Sequence, residues 1–228
     1  MLFRQLFDKE SSTYTYLIAA APGRDAIIID AVIENVPLYE QLIKELNLKL
    51  VAVFDTHVHA DHITASGTLR DKYGCDIIMG EQSAAQCVTR KVSDNEVLHF
   101  DGFDIRCLYT PGHTDCSYSY LMKDRIFTGD ILMIHATGRT DFQNGSSEKA
   151  YDSLFNKILT LPDETLIYPA HDYKGFTVST IGEEKKYNPR LQVHNASEYA
   201  EIMDNLNLPR PQKMDIAVPA NILCGLKK

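Results

Sequence analysis

The sequence predicts a mixed α/β fold, for which two sheets with helices on their outer faces are one solution. Short apolar runs of strand length alternate along the chain with stretches of helical periodicity, and turn residues separate them. The 228 residues are 44% hydrophobic and 24% charged, as in ordinary globular proteins. A chain of this length can bury a sizeable core. We expect residues 1–228 to form a single domain.

The strands are predicted from short apolar runs bounded by turn signals. These runs are residues 13–20, 26–30, 50–54, 77–79, 103–109, 117–121, 125–128 and 166–168. Pro37 is expected to open a helix with Leu38, Leu42 and Leu46 on one face. Residues 66–73 and 197–205 predict two further helices. Residues 148–159 carry apolar side chains at i, i+3, i+4, i+7 and i+8, which predicts another.

The charge of the chain argues against two classes of partner. Lys plus Arg is 23 and Asp plus Glu is 31, which gives a net charge of −8. Nucleic acids and anionic membranes are poor partners for such an acidic chain. No apolar run has the length of a membrane span, and the first residues lack the apolar stretch of a signal peptide. We expect a cytoplasmic protein, or one of the mitochondrial matrix if it is eukaryotic and processed.

The five cysteines are Cys75, Cys87, Cys107, Cys116 and Cys224. Their number is odd and no Cys-x-x-Cys occurs, which argues against a disulfide framework and a zinc ribbon. We therefore expect free thiols in a reducing compartment.

Three of the eight histidines fall within the six residues from His57 to His62, which read HVHADH. This segment directly follows the predicted buried strand 50–54, in a loop. Loops at strand ends are where a rigid scaffold presents reactive groups. Imidazole and carboxylate together are good ligands for zinc, iron or manganese. The segment predicts a metal site.

Three later segments place one more candidate ligand just past a predicted strand. His113 follows strand 103–109, Asp130 follows strand 125–128, and His171 follows strand 166–168. Each lies beside Gly, Pro or another small residue. One fold could bring all these loops together.

The structural alternative for a single histidine after a strand is a surface or hydrogen-bonded residue. We interpret His99, His135 and His194 in this way. Asp61, taken alone, could cap the following helix. The density of imidazole from His57 to His62 has no such structural use, so the metal site remains the favoured interpretation.

His57, His59, Asp61 and His62 stand in the spacing HxHxDH, with His113, Asp130 and His171 downstream. This pattern resembles the signature of the metallo-β-lactamase superfamily. The resemblance implies an αββα sandwich with metals at the open edge of two sheets. It matches His57, His59 and His113 to one metal site and Asp61, His62 and His171 to a second, with Asp130 between them. It does not choose the reaction.

A narrower resemblance covers nearly the whole chain. It is carried by FRQLF (3–7), STYTYL (12–17), GRTDFQ (138–143), IYPAHDY (167–173), GFTVST (175–180), NPR (188–190), NLNLP (205–209) and VPAN (218–221). These segments are similar to the persulfide dioxygenases, or sulfur dioxygenases, of the ethylmalonic-encephalopathy type. The resemblance implies oxidation of glutathione persulfide with O₂ to sulfite and glutathione, and it suggests a homodimer.

The resemblance also implies one non-haem Fe(II) per chain, held by His57, His113 and Asp130. Two histidines and a carboxylate form the facial triad of O₂-using ferrous enzymes. The four remaining residues of the signature would orient the ligands and bond to metal-bound water or oxygen. These four are His59, Asp61, His62 and His171.

The resemblance places Arg139, Asp141, Tyr173 and Arg190 around the glutathione. An Arg binds a carboxylate through two parallel hydrogen bonds, and Asp141 could accept from the glutathione amine or simply orient Arg139. Some family members carry a Cys where this chain has Thr137, so no redox role is assigned there. A role for Cys224 stays open.

Two alternatives differ in function class. A hydrolase of the glyoxalase II kind would use all seven ligands to hold two metals and attack a thioester. Against it, such enzymes carry an added C-terminal helical domain for glutathione, whereas here about fifty residues follow His171 and they resemble the dioxygenase tail. A non-catalytic metal-binding or sulfur-carrier module is the second alternative, and retention of all seven ligands argues against it.

Overall fold

The computed structural model describes residues 1–226, in which twelve strands form two six-stranded sheets. The first sheet contains, in spatial order, β1 (Leu2–Asp8), β2 (Thr13–Ala19), β3 (Asp25–Ile29), β4 (Lys49–Phe54), β5 (Asp76–Gly80) and β6 (Arg90–Val92). The second contains β7 (Val97–Phe100), β8 (Phe103–Tyr109), β9 (Tyr118–Leu121), β10 (Arg125–Gly129), β11 (Leu166–Pro169) and β12 (Ser179–Thr180).

Both sheets are mixed. In the first sheet β1, β2 and β3 pair antiparallel, whereas β3, β4, β5 and β6 pair in parallel. In the second sheet only β10 and β11 are parallel neighbours. All seven residues of β2 are buried, because one face of the strand meets the opposite sheet and the other meets helices.

Helices cover the outer faces of both sheets. They are α1 (Val36–Glu45), α2 (Ser66–Tyr73), α3 (Ser147–Asn156), α4 (Ile181–Tyr187), α5 (Ala196–Asp204) and α6 (Met214–Ile222). A central core that includes Tyr16, Phe54 and Phe127 joins strands of both sheets. A second core lies between α1, α2 and the first sheet, and a third between α3, α5 and the second sheet. This αββα layering confirms the fold-class prediction.

One predicted helix face was only partly right. The first helix does open near Pro37, and Leu42 and Leu46 are partly buried against the core. Its fully buried side chains are Tyr39 and Ile43, while Leu38 is 40% exposed. Tyr39 is buried because its hydroxyl bonds to Thr15 and to the backbone of Val32, an anchor that a count of leucines does not reveal. β1, β6, β7, β12, α4 and α6 were not predicted from the sequence.

The expectation of free thiols throughout was also wrong. Cys87 and Cys224 form a disulfide across 137 residues, with their Cα atoms 6.0 Å apart. Cys75, Cys107 and Cys116 are free and buried. An odd number of cysteines excludes pairing of them all, but it leaves room for one bridge.

The ends of several strands meet at one edge of the sandwich. β4 ends just before His57, β10 just before Asp130 and β11 just before His171. Backbone hydrogen bonds tie the two sheets together at this edge, from Tyr14 to Ala170 at 2.7 Å and from Tyr118 to Thr56 at 2.8 Å. In the described part of the chain, no helix is long and apolar enough to cross a membrane.

Candidate metal centre

His57, His113 and Asp130 converge at this edge from three loops. Asp130 Oδ2 lies 3.9 Å from His57 Nε2 and 3.5 Å from His113 Nε2. The ligand atoms of the three side chains all lie within 4.8 Å of one another. Metal–ligand bonds of about 2.0–2.2 Å are compatible with such separations. The three predicted ligands therefore form one candidate metal site.

The neighbours of the two histidines fix which ring nitrogen is protonated. His113 Nδ1 lies 2.8 Å from the carbonyl oxygen of Arg139, which can only accept, so Nδ1 carries the proton. The hydroxyl of Thr56 donates to Asp30 at 3.0 Å and therefore accepts from His57 Nδ1 at 3.0 Å. Both Nε2 atoms keep a lone pair directed at the site, which is the protonation state a metal ligand requires.

Two further ring nitrogens are buried without a hydrogen-bond partner among residues 1–226. They are His59 Nδ1 and His62 Nε2. His59 Nε2 bonds to Asp30 at 3.0 Å and His62 Nδ1 bonds to Asp61 at 2.8 Å. If the carboxylates accept and the rings are neutral, the two orphaned nitrogens carry bare lone pairs. A buried acceptor without a partner costs about 1–3 kcal/mol, which a metal ion or its bound water would offset.

His171 lies between two carboxylates. Its Nδ1 is 2.7 Å from Asp130 Oδ1 and its Nε2 is 2.8 Å from Asp61 Oδ2. Burial by itself lowers the pKa of His171, but the two carboxylates raise that pKa well above its usual value. Burial raises the pKa of Asp130, yet His171 and the other histidines hold it below its usual value. His171 thus orients Asp130 through Oδ1 and leaves Oδ2 for a metal.

His57 and His59 are neutral near pH 7, whereas Asp61 raises the pKa of His62 above its usual value against the effect of burial. Burial lowers the pKa of His57 well below its usual value, and it lowers the pKa of His59 to about 4. Neutral imidazole is the form that binds metals. The buried loop is therefore ready to coordinate an ion at neutral pH.

Comparison with known proteins places the chain in a family. The model of the metallo-beta-lactamase superfamily matches residues 8–171. The mitochondrial persulfide dioxygenase ETHE1 of Homo sapiens is 46% identical over 230 residues, which span 100% of this chain and 90% of that protein. The crystal structure of ETHE1 from Myxococcus xanthus superposes with a TM-score of 0.96 at 53% identity, and it covers 99% of this chain and 100% of that one.

This chain belongs to the persulfide dioxygenase family of the metallo-β-lactamase superfamily. The family prediction is confirmed. The hydrolase alternative has weaker support, because hydroxyacylglutathione hydrolase of Dictyostelium discoideum is 28% identical over 87% of this chain and 90% of that protein.

The side chains predicted to hold substrate differ from one another in what they contact. Arg139 forms a bidentate pair with Asp141 at 2.6 and 2.8 Å, and it donates to the carbonyl of Pro209 at 2.6 Å. Its guanidinium also lies 4.4 Å from the centroid of the Phe142 ring. The backbone of Arg139 therefore touches the metal site through His113, while its side chain holds the C-terminal segment.

Arg190 and Tyr173 are less constrained. Arg190 donates to the carbonyl of Thr137, and it pairs with no carboxylate among residues 1–226. Burial lowers the pKa of its guanidinium. Tyr173 is 72% exposed, and its ring stacks on that of His171 with centroids 6.1 Å apart. The glutathione contacts of both side chains stay a prediction.

The sequence interpretation missed Asp30, Gln143 and Asn221. Asp30 accepts from the backbone of Thr56 at 2.7 Å and supports the tautomers of His57 and His59. The predicted strand 26–30 includes Asp30 as its last residue, but β3 ends at Ile29, so Asp30 follows its strand as Asp130 does. Gln143 and Asn221 reach the metal loop from distant segments, and no local pattern marks them.

Proposed function

We propose that this chain oxidises glutathione persulfide with O₂ at a single Fe(II) ion held by His57, His113 and Asp130. Glutathione persulfide, O₂ and water give glutathione and sulfite. The observation that carries the proposal is the set of two Nε2 lone pairs and one carboxylate oxygen, fixed by their neighbours in a dioxygenase-like chain. Two histidines and one carboxylate are the ligand set of ferrous oxygenases.

The chain's own residues orient the ligands and receive the substrates. Bound at this site, iron would bind the persulfide sulfur and O₂ and would pass electrons between them. His171 holds Asp130, and the unpartnered ring nitrogens of His59 and His62 are available for hydrogen bonds with water or with the substrate in the site. Asp61 is the most exposed of these groups, with a side chain 25% exposed, and marks the solvent side.

Substrate recognition follows from the charge of the chain. Glutathione carries two carboxylates, and a protein of net charge −8 repels it at long range, so a local cation must bind it. We assign this role first to Arg190, whose guanidinium has no carboxylate partner among the described residues, and place Tyr173 at the mouth of the site. Asp141 orients Arg139, and Arg139 in turn donates to the carbonyl of Pro209 in the C-terminal segment. We propose that this segment borders the substrate.

A dinuclear hydrolase is the second candidate function. The donor atoms of His59, Asp61 and His62 also lie within 4.8 Å of one another, so a second metal ion has ligands available. The two functions differ in what they consume. O₂ uptake with sulfite formation on glutathione persulfide supports the dioxygenase. Thioester hydrolysis without O₂ uptake would contradict the dioxygenase and support the hydrolase.

We also propose a homodimer in the cytoplasm or the mitochondrial matrix. The human relative is named mitochondrial, which is compatible with the second compartment. Sedimentation of the metal-loaded chain measures the oligomeric state directly, and a monomeric mass would refute the dimer.

A further inference from the structure

Asn221, at the end of α6, is a buried polar side chain that spans the metal loop. It is 4% exposed. Its Nδ2 donates to the carbonyls of His59 at 2.9 Å and His62 at 2.8 Å, and its Oδ1 accepts from the backbone N–H of Thr64 at 2.9 Å. Both amide protons and the oxygen of the side chain are therefore used on one loop.

The loop depends on these bonds because it has no regular structure of its own. Residues 55–63 belong to neither a helix nor a strand. Buried carbonyls must be paired somewhere, and Asn221 supplies the side-chain partner for those of His59 and His62. Val218 and Ile222 of the same helix pack against the cluster that contains Val58. α6 thus supports the segment that carries His57.

The disulfide links the end of α6 to the first sheet. Cys87 lies in the loop between β5 and β6, and Cys224 lies two residues beyond α6. Neighbouring backbone bonds run from Gln86 to Ile222 at 2.8 Å and from Gly67 to Cys224 at 2.9 Å. Cys224 is buried, whereas Cys87 is partly exposed, so a thiolate from solution can approach the Cys87 sulfur.

We propose that Asn221 is a positioning residue of the metal centre. The Cys87–Cys224 disulfide keeps Asn221 in place, so that thiols which reduce the disulfide weaken the hydrogen bonds between Asn221 and the metal loop. This inference rests on the proposed function in that it takes His57 to be a metal ligand. Two thiols of the glutathione type reduce the bridge. One thiolate attacks the Cys87 sulfur and releases the Cys224 thiolate. A second attacks the mixed disulfide, frees Cys87 and leaves as the glutathione disulfide.

The first experiment compares the iron-loaded full chain before and after reduction with glutathione, with free thiols counted by mass spectrometry. Amide hydrogen exchange is measured across residues 57–67, and iron release to an excess of chelator is timed. We expect faster exchange in this segment only, and iron release roughly 10-fold faster, the lower end of the effect of losing support for a metal ligand. Unchanged exchange or an unchanged release rate would overturn the inference.

Two variants separate positioning from general stability. Asn221→Asp keeps the acceptor for Thr64 but loses both donors, so iron release should be fast whether the bridge is oxidised or reduced. The electron paramagnetic resonance spectrum of its nitric oxide adduct should shift, because His57 moves. Asn205→Asp, at the end of α5, is the matched control. A variant Asn221→Asp that still responds to glutathione would contradict a disulfide acting through Asn221.

Cys87→Ala should release iron as fast as the reduced wild type, whereas Cys75→Ala, which removes a free thiol elsewhere, should respond to glutathione as the wild type does. If the purified chain held no iron at all, the proposed function would fail. The hydrogen-exchange comparison would still decide whether the bridge and Asn221 hold the loop.

Discussion

At the scale of single residues, the protonation state of the two histidines is set by groups that bond to Nδ1, on the side of each ring away from the site. The carbonyl of Arg139 and the hydroxyl of Thr56 each accept a hydrogen bond from the Nδ1–H of a histidine, which leaves Nε2 free. Gly138 lets this happen at close range, since a Cβ there would lie 2.8 Å from His113 Nδ1. The same Cβ would lie closer still to the backbone oxygen of Asp130, so a side chain at this position would displace the loop of Asp130 as well as the ring.

Removal of Asp130 and removal of Asp61 should have different consequences. Asp130→Ala deletes one of the three proposed ligands, so we expect iron to be lost. Asp61→Ala and His171→Ala delete support only, and should keep iron with activity about 10–100-fold lower. Iron content by elemental analysis and the rate of persulfide oxidation measure both effects. Equal loss of metal in Asp130→Ala and Asp61→Ala would indicate a dinuclear site instead.

Arg190 should matter for substrate and not for metal. A charge-assisted hydrogen bond contributes about 1.5–3 kcal/mol, so Arg190→Ala should lower kcat/KM for glutathione persulfide roughly 10–150-fold at unchanged iron content. Arg190→Lys, which keeps the charge, is the matched variant and should lose less. Steady-state O₂ uptake measures both. A wild-type KM in Arg190→Ala would place the tripeptide elsewhere.

At the scale of secondary-structure elements, α4 is tied to its surroundings by one buried carboxylate. Glu184 accepts from Ser179 at 2.6 Å, from Asn188 at 2.7 Å and from the backbone of His135 at 2.9 Å. Burial raises the pKa of Glu184 above its usual value. Its ionisation therefore opposes folding, and the free energy of unfolding falls as the pH rises from the usual glutamate pKa through the raised one.

Replacement of Glu184 separates its hydrogen bonds from its charge. Glu184→Ala removes the acceptor of three donors, two of which are buried side chains, and each buried donor left without a partner costs about 1–3 kcal/mol. Glu184→Gln can accept from two of them and donate to the Ser179 hydroxyl, so it should keep most of the stability and remove this part of the pH dependence. Urea denaturation at several pH values tests this. Equal destabilisation by Ala and Gln would refute the argument.

Local patterns predicted the elements whose periodicity is strong. Most of the β-strands that end at the site, and α2 and α5, lie within one or two residues of their predicted bounds. β1 was missed because its burial is irregular, with Phe7 exposed, and α6 because Pro219 interrupts it. All seven signature residues could be named because each follows a strand or lies in one short cluster. Asn221 could not, since its partners lie 157 or more residues away.

At the scale of the whole molecule, we propose that residues 1–228 unfold as one unit. The C-terminal helix α6 bonds to the loop after β4, and Cys224 is joined to Cys87. Calorimetry of the metal-loaded, oxidised chain should show a single transition. Reduction should shift it downward, since a disulfide contributes about 2–4 kcal/mol. Two separate transitions in the oxidised protein would argue for two domains.

The most direct test of the account is to restore metal to the metal-depleted chain in measured amounts. Fe(II) is added stepwise without O₂, and O₂ uptake and sulfite formation on glutathione persulfide are then measured. We predict that activity rises in proportion to bound iron and stops rising at one ion per chain, while zinc restores nothing. Saturation at two ions per chain, or thioester hydrolysis restored by zinc, would contradict a mononuclear iron dioxygenase.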